Sequence, residues 1–526
     1  MSVPSSQLIS RLSNFPPLSV SGVLDYQAYT NPKKCAIYDD EKSFTYAELY
    51  QRVVVLSDYL LSRGIAKGDV IAAYLPNCIE YVIVVIAVAR TGAIFTPINP
   101  RFKSFEARAI LKQAEPVCIF TTKAQVKIVN EALEPLTTLR PIIFSVDDGA
   151  TEKFFSGHPP PHYQSTSNDR PIVNLVEGDF FSLMFTSGTT GEPKGALATH
   201  RARMLWVLNA LIQYGICEND VYLGTMPQTH SAGLTFTLMH LYAGATVRIM
   251  PQFDPNEYLN IVTRENISSS LTVPTMLTMI VEALESKGSA VSLGSLKRLV
   301  TCGSPLPIET KRRVLNQITP ELFDYYGSTE SNSMSILRPA DQLRKPKSVG
   351  QAFRNVRLKA VKEDGSDCAL EEVGEILCIN PSAMTEYWRN PEATESAFSG
   401  SWYHTGDLGY LDSEGFLHLV GRKTDVVISG GFNIYAAEVE QILMMYPGVL
   451  DAAIVGVEDP VWGQRVKAFL VLREGIEVTL TDIQNHVSGY LADYKKPREL
   501  EFLSELPKNA GGKTMKAQLR ESENVQ

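Results

Sequence analysis

A chain of 526 residues exceeds what one hydrophobic core usually supports, so two or more domains are expected. Hydrophobic residues at 44% and charged residues at 20% exclude a disordered, fibrous or membrane-embedded chain. A formal net charge of -9, without a dense Lys/Arg block or basic residues interleaved with aromatics, excludes nucleic acid as a general partner.

The first residues lack the basic-then-apolar layout of a signal peptide, and the closing Glu-Asn-Val-Gln is no peroxisomal address, so a cytoplasmic location is expected. The longest apolar stretch, Tyr81 to Ala89, is flanked by Glu80 and Arg90 and is too short to span a bilayer; it predicts a buried helix and no integral membrane association. From about 36 to 300, short β-rich runs alternate with amphipathic helical stretches, as in VIAAYLP (70–76), VCIFTT (117–122) and TVRIMP (246–251). That rhythm predicts an α/β fold of parallel sheets covered by helices. A polar stretch at 158–170 reads as a surface loop, and strand-like pieces between 335 and 420 predict a smaller β subdomain. After Arg422 the α/β pattern restarts, which places the domain boundary at Thr424 and gives domains 1–423 and 424–526. The seven cysteines (35, 78, 118, 217, 302, 368, 378) lack CxxC or zinc-site spacing and read as buried small hydrophobes.

The most informative segment is Thr186-Ser-Gly-Thr-Thr-Gly-Glu-Pro-Lys-Gly195, between a strand-like and a helix-like run. Gly188 and Gly191 let backbone N–H groups approach an anion, Ser187, Thr189 and Thr190 add hydroxyl donors, and Lys194 adds charge. It is not a Walker A loop, because Pro193 stands where the second glycine should be. Taken alone it is equally compatible with a flexible surface turn.

Four further segments follow in order: Tyr325-Tyr326-Gly327-Ser328-Thr329-Glu330, Tyr403-His-Thr-Gly-Asp407-Leu, Gly421-Arg422-Lys-Thr-Asp425 and Leu506-Pro-Lys-Asn-Ala-Gly-Gly-Lys513. Together the five resemble the TSGTTGxPKG, YGxTE, Y-x-TGDL, GRxxD and LPxxxxGK motifs of adenylate-forming enzymes. The resemblance implies a large N-terminal domain of two α/β subdomains plus a β subdomain, and a small mobile C-terminal α+β domain. It implies that a carboxylic acid attacks the α-phosphate of ATP, a reaction that needs charge neutralisation and alignment more than acid/base groups.

Residue by residue, the resemblance makes Lys513, Glu330, Thr329 and Thr186 the catalytic set. Glu330 would hold Mg²⁺, a hard cation suited to carboxylate and phosphate oxygens. Ser187, Gly188, Thr189, Thr190, Gly191, Lys194, Gly303, Ser304, Pro305, Tyr326, Gly327, Asp407 and Arg422 would bind the nucleotide, Tyr326 against adenine and Asp407 on the ribose hydroxyls. Lys513 would bridge the carboxylate and the α-phosphate.

For the second half-reaction the chain is similar to 4-chlorobenzoate and benzoate types of CoA ligase. Asn99-Pro100-Arg101, Trp462-Gly463-Gln464 and Tyr494-Lys-Lys496-Pro match that group's CoA-contacting stretches, and Ser429-Gly430-Gly431 resembles the pantetheine channel. Lys496 stands where the group has Arg, which keeps the charge without the bidentate fork. The hinge position is Thr424, where many relatives carry Asp or Lys. Gln228-Thr-His230-Ser231-Ala-Gly233 resembles the segment gating the acyl tunnel, and His230, Ser231, Cys302, Tyr325 and Met334 would line the acyl site. No Asp occurs between Pro227 and Thr237 to meet an α-ammonium, so an α-amino acid is not expected.

The expected function is therefore an ATP-, Mg²⁺- and CoA-dependent carboxylate–CoA ligase acting on an aryl or short- to medium-chain acid. The rivals are an adenylation enzyme loading a carrier-protein thiol, a luciferase-like oxidation, and a non-enzymatic nucleotide-binding protein. The identity of the acid and the oligomeric state are left open, a homodimer included.

Overall fold

The computed structural model describes residues 18–148, 155, 173–186, 193–287, 293–429, 432–508 and 514–524. The 158–170 stretch, expected as a surface loop, lies outside the described residues. Two compact units emerge. One comprises the chain up to Pro346 with Ala352–Val356 and Ile379–Ser396; the other comprises Lys347–Gln351, Arg357–Cys378 and the chain from Ala397 on. Thr424 lies within the second unit.

In the first unit, β1 (Phe180–Thr186) and β2 (Lys194–Thr199) form an antiparallel hairpin. The short Glu386–Tyr387 strand flanks β2, while Ile94–Pro97, Val70–Tyr74, Cys118–Thr121 and Ile142–Ser145 continue beyond β1 as parallel neighbours. A parallel strand is covered on both faces, so its residues are apolar without alternation. Val70–Tyr74 is accordingly buried at every position. The helix Ile79–Thr91, predicted from its charge-free run, is apolar all round and buried along nearly its whole length. It ends at Gly92, whose φ of 74° is the left-handed cap that glycine adopts without strain.

Helix α1 (His200–Tyr214) follows β2 directly, with the Thr199 hydroxyl accepting from the Ala202 N–H at its start. Helix α2 (Ser231–Ala243) follows the His230 segment. A second sheet runs in the order Ser43–Thr45, Cys35–Tyr38, Thr246–Ile249, Val221–Gly224, Ser269–Thr272, β3 (Arg298–Cys302), β4 (Leu322–Ser328) and β5 (Asn332–Leu337). It is parallel from Cys35–Tyr38 to β4, and β4 and β5 form an antiparallel hairpin. Each fully buried Val, Leu or Ile of these layers contributes about 1.5 to 3 kcal/mol relative to exposure.

The second unit holds the predicted β subdomain, in which β6 (Trp402–Leu411) pairs with Gly374–Ile379 on one side and β7 (Leu417–Arg422) on the other. It also holds a sheet in which Gly463–Leu472 pairs with Val449–Asp459, Val426–Ser429 and Glu499–Phe502. Helix α3 (Lys516–Asn524) covers one face of that sheet through Leu519, against Ala453, Val455 and Phe469. The expectation of seven buried cysteines is corrected: Cys118, Cys302 and Cys378 are buried, Cys35, Cys78 and Cys368 are partly exposed, and Cys217 is exposed.

Candidate active site

The β1–β2 hairpin brings Thr186 opposite Lys194; of the residues between them, 187–192 lie outside the described residues. Ser187, Gly188, Thr189, Thr190 and Gly191 are thus not placed, and neither are Gly430, Gly431 and Lys513. Lys194 stands with its ammonium 5.5 Å from the centre of the Tyr387 ring. The next residue, Gly195, packs so closely that an added Cβ would lie 2.6 Å from Leu183.

Glu330 sits in the turn between β4 and β5, directly after Thr329. The Thr186 hydroxyl donates to its carboxylate at 3.1 Å, and the Tyr387 hydroxyl donates to the same oxygen at 3.4 Å. Its backbone carbonyl accepts from the Met384 N–H at 2.6 Å. The turn is fixed by reciprocal bonds of Ser328 and Ser331, at 3.2 and 3.1 Å, and by Asn380 donating to the Ser331 carbonyl at 2.6 Å. Gly327 is required by space, since a Cβ there would lie 1.9 Å from the Asn332 carbonyl oxygen.

Cys302 is the register partner of Tyr325 in the parallel β3–β4 pair, so Gly303, Ser304 and Pro305 leave the sheet beside Tyr326. Gly303 has φ of 94°, a conformation suited to glycine. These residues stand at the carboxyl ends of parallel strands, where open α/β sheets bind their ligands.

His230 is the residue preceding α2, and burial lowers the pKa of its imidazole. Gly233 permits the tight entry to the helix, where a Cβ would lie 2.3 Å from the Pro227 carbonyl oxygen. Ser231, Cys302, Tyr325 and Met334 are all buried. Tyr325 stacks on Phe236, ring centres 6.4 Å apart and planes at 12°, and lies beside Cys302 in the β3–β4 register. Its cross-strand partner in β5 is Ile336, two residues beyond Met334.

In the second unit, Asp407 of β6 faces Arg422 of β7 in register, and the two form an ion pair at 2.9 Å. Ser429 is the register partner of Gly463, and the Gln464 side chain accepts from the Ile428 N–H at 2.8 Å. Trp462 is 56% exposed, although its backbone N–H donates to Asp459 at 3.0 Å. Tyr494 stacks on Phe432 with centres 4.7 Å apart, and Lys496 pairs with Asp493 at 2.7 Å. The Thr424 carbonyl accepts from Arg520 of α3 at 3.1 Å. Arg101, in the first unit, is exposed, and its N–H donates to Asn99 at 3.0 Å.

Sequence reasoning missed Tyr387 and Phe432. The first lies in the strand pairing with β2, inside the unremarked MTEYWRNPEAT run. The second directly follows the Ser-Gly-Gly stretch, and an aromatic next to that glycine pair was the available signal.

No cluster of three metal-ligating side chains occurs among the described residues. The donor set still suits magnesium, which keeps several waters and is usually held by one or two carboxylates with substrate phosphates. Glu330 would supply such a carboxylate. Among the described residues no helix is long and apolar enough to cross a membrane.

The family model described as AMP-binding enzyme matches residues 24–388, and the AMP-binding enzyme C-terminal domain matches 438–513. An indoleacetate–CoA ligase from Aromatoleum aromaticum is 33% identical over 513 residues, covering 96% of this chain and 98% of the relative. A 2-succinylbenzoate–CoA ligase from Geobacillus kaustophilus is 31% identical over 499 residues, covering 94% and 96%. An o-succinylbenzoate CoA synthetase from Bacillus subtilis, solved with the acyl-adenylate intermediate OSB-AMP, superposes with a TM-score of 0.84 at 28% identity, covering 95% of this chain and 98% of that chain. The chain belongs to the AMP-binding enzyme family, in its acyl- and aryl-CoA ligase branch.

Proposed function

We propose that the chain is an AMP-forming acid–thiol ligase that converts an aryl or short- to medium-chain carboxylic acid, Mg·ATP and CoA into acyl-CoA, AMP and pyrophosphate. The observation that carries this reading is the Thr186–Glu330 contact, which joins the strand entering the glycine-rich loop to the YGSTE turn in a chain of this family. Magnesium, when bound at Glu330, neutralises phosphate charge. Thr186 and Tyr387 orient the Glu330 carboxylate, and Thr329 beside it donates to the α-phosphate. Tyr326 and Gly303–Pro305 take the adenine, Asp407 takes the ribose hydroxyls with Arg422 alongside, and Lys194, with residues 187–191, takes the phosphates. Lys513 supplies fixed positive charge where carboxylate and α-phosphate join.

Acceptance by CoA is supported by the aromatic faces of Trp462, Tyr494 and Phe432 near Ser429, with Lys496 as a cation for phosphate; the Asn99-Pro100-Arg101 match in the first unit adds a second cation. A carrier protein presents no adenine for such rings. The acids named for the relatives, indoleacetate and 2-succinylbenzoate, and the largely apolar Cys302–Tyr325–Phe236 wall, support an aryl substrate held near His230 and Ser231. Thr424 is the hinge between adenylating and thioester-forming arrangements of residues 424–526, and the location is cytoplasmic. The test is acid-dependent pyrophosphate exchange across a panel of aryl and straight-chain acids; exchange with none of them would refute the reading.

A further inference from the structure

One turn into α1, Arg203 is 2% exposed, and no carboxylate among the described residues forms an ion pair with it. A buried arginine ordinarily has an acidic partner. Arg203 is instead held by neutral oxygens from two elements. Its Nη1 donates to the Ser231 hydroxyl at 2.9 Å, the Thr235 hydroxyl at 2.6 Å and the Ser231 carbonyl at 3.5 Å, while its Nη2 donates to the Ser182 hydroxyl at 3.2 Å. Its Nε has no hydrogen-bond partner among the described residues. The guanidinium carbon lies 5.4 Å from the Trp206 ring and 5.8 Å from that of Phe181.

Two further bonds extend this centre. The Ser231 hydroxyl donates to the Asn332 side chain at 3.4 Å, and the Trp206 indole donates to the Ser333 hydroxyl at 3.0 Å. Ser182 lies in β1, four residues before Thr186; Ser231 follows His230; Asn332 lies two residues after Glu330. The segments entering the glycine-rich loop, gating the acyl site and carrying the magnesium carboxylate are thereby tied to one planar cation.

We infer that Arg203 is a positioning residue that holds these three segments in mutual register for adenylate formation, an inference that rests on the reaction proposed above. A lysine keeps the charge but offers no fork to reach Ser182 and Ser231 at once. A misplacement of about 1 Å in a preorganised site costs on the order of 100-fold in rate.

The experiment measures acid-dependent pyrophosphate exchange, with separate kcat and KM for ATP and acid, in wild type, Arg203→Lys, Arg203→Met and Ser182→Ala, all well below their melting temperatures. The expected result is a kcat lowered by about 10- to 100-fold in Arg203→Met, with partial recovery in Arg203→Lys. Ser182→Ala removes one distant acceptor and should lower kcat several-fold, which keeps the inference testable if Arg203→Met fails to fold. Variants that melt at lower temperature yet retain wild-type kcat would reduce Arg203 to a packing residue and overturn the inference. Absence of exchange in the wild type would instead overturn the reaction on which it rests.

Discussion

The Thr186 hydroxyl donates to the Glu330 carboxylate at 3.1 Å across a separation of 144 residues. Thr186 closes β1 and Glu330 stands in the turn beyond β4, so this bond joins the two sheets of the first unit at the point assigned to Mg·ATP. Glu330→Gln keeps the shape and removes the charge. It should lower the adenylation rate by about 100- to 1000-fold and raise the magnesium concentration needed for half-maximal rate. Thr186→Ala should lose less, because Tyr387 still donates to the same oxygen. Magnesium titration of pyrophosphate exchange checks both, and an unchanged magnesium dependence in Glu330→Gln would remove the carboxylate from the metal site.

Lys513→Ala should cripple adenylation, by about 100- to 1000-fold, and leave thioester formation from supplied acyl-adenylate largely intact. Single-turnover assays of the two half-reactions decide this. Equal damage to both would cancel the role given to Lys513.

Trp462→Ala and Arg101→Ala should each raise the KM for CoA while leaving pyrophosphate exchange nearly unchanged, since a contact shared by ground and transition states appears in KM. Both side chains are exposed, so neither substitution should unfold the chain. Normal CoA kinetics in both would shift support to a carrier-protein thiol as acceptor.

Much of this was legible in sequence. The helix Ile79–Thr91 and the strands at 70–74, 118–121 and 246–249 follow from apolar runs whose length and flanks leave few alternatives. The pairing of Asp407 with Arg422 was not, because ladder register depends on bulges such as the shift at Leu408/Gly409 rather than on motif spacing. Nor did any spacing rule foretell that Tyr387 meets Glu330 or that Arg203 meets Ser182 and Ser231; these contacts are created by sheet order and helix packing. The exposure of Cys217 shows the converse, that residue type alone does not set burial.

Stability should fall as pH drops from about 6.5 toward 4. Burial pushes His200 and His240 each down to about 4, so between these values the unfolded chain binds protons that the folded chain does not. Stability therefore rises with pH through this window, and the full contribution, on the order of 3 kcal/mol per imidazole, is present above 6.5. Urea midpoints at pH 7.5 and 5.0 measure it, with His200→Asn expected to flatten the slope. An equal slope in wild type and variant would assign the pH dependence to other groups.

Tyr325 fills the space beside Phe236 and Cys302, and Tyr325→Ala should cost about 3 to 5 kcal/mol through the cavity left behind. It should also improve kcat/KM for longer acids relative to compact ones, by about 1 to 3 kcal/mol for each methylene newly accommodated. A uniform loss over all chain lengths would place Tyr325 in the core behind the acyl site.

The most direct measurement is the product itself. Purified enzyme is incubated with Mg·ATP and each acid of an aryl and aliphatic panel, with and without CoA, and AMP, pyrophosphate and thioester are quantified by mass. The predicted result is acyl-CoA formed in one-to-one ratio with AMP for a compact aryl or short acid, with turnover strongly stimulated by CoA. Adenylate formed from an acid but never passed to CoA would contradict it.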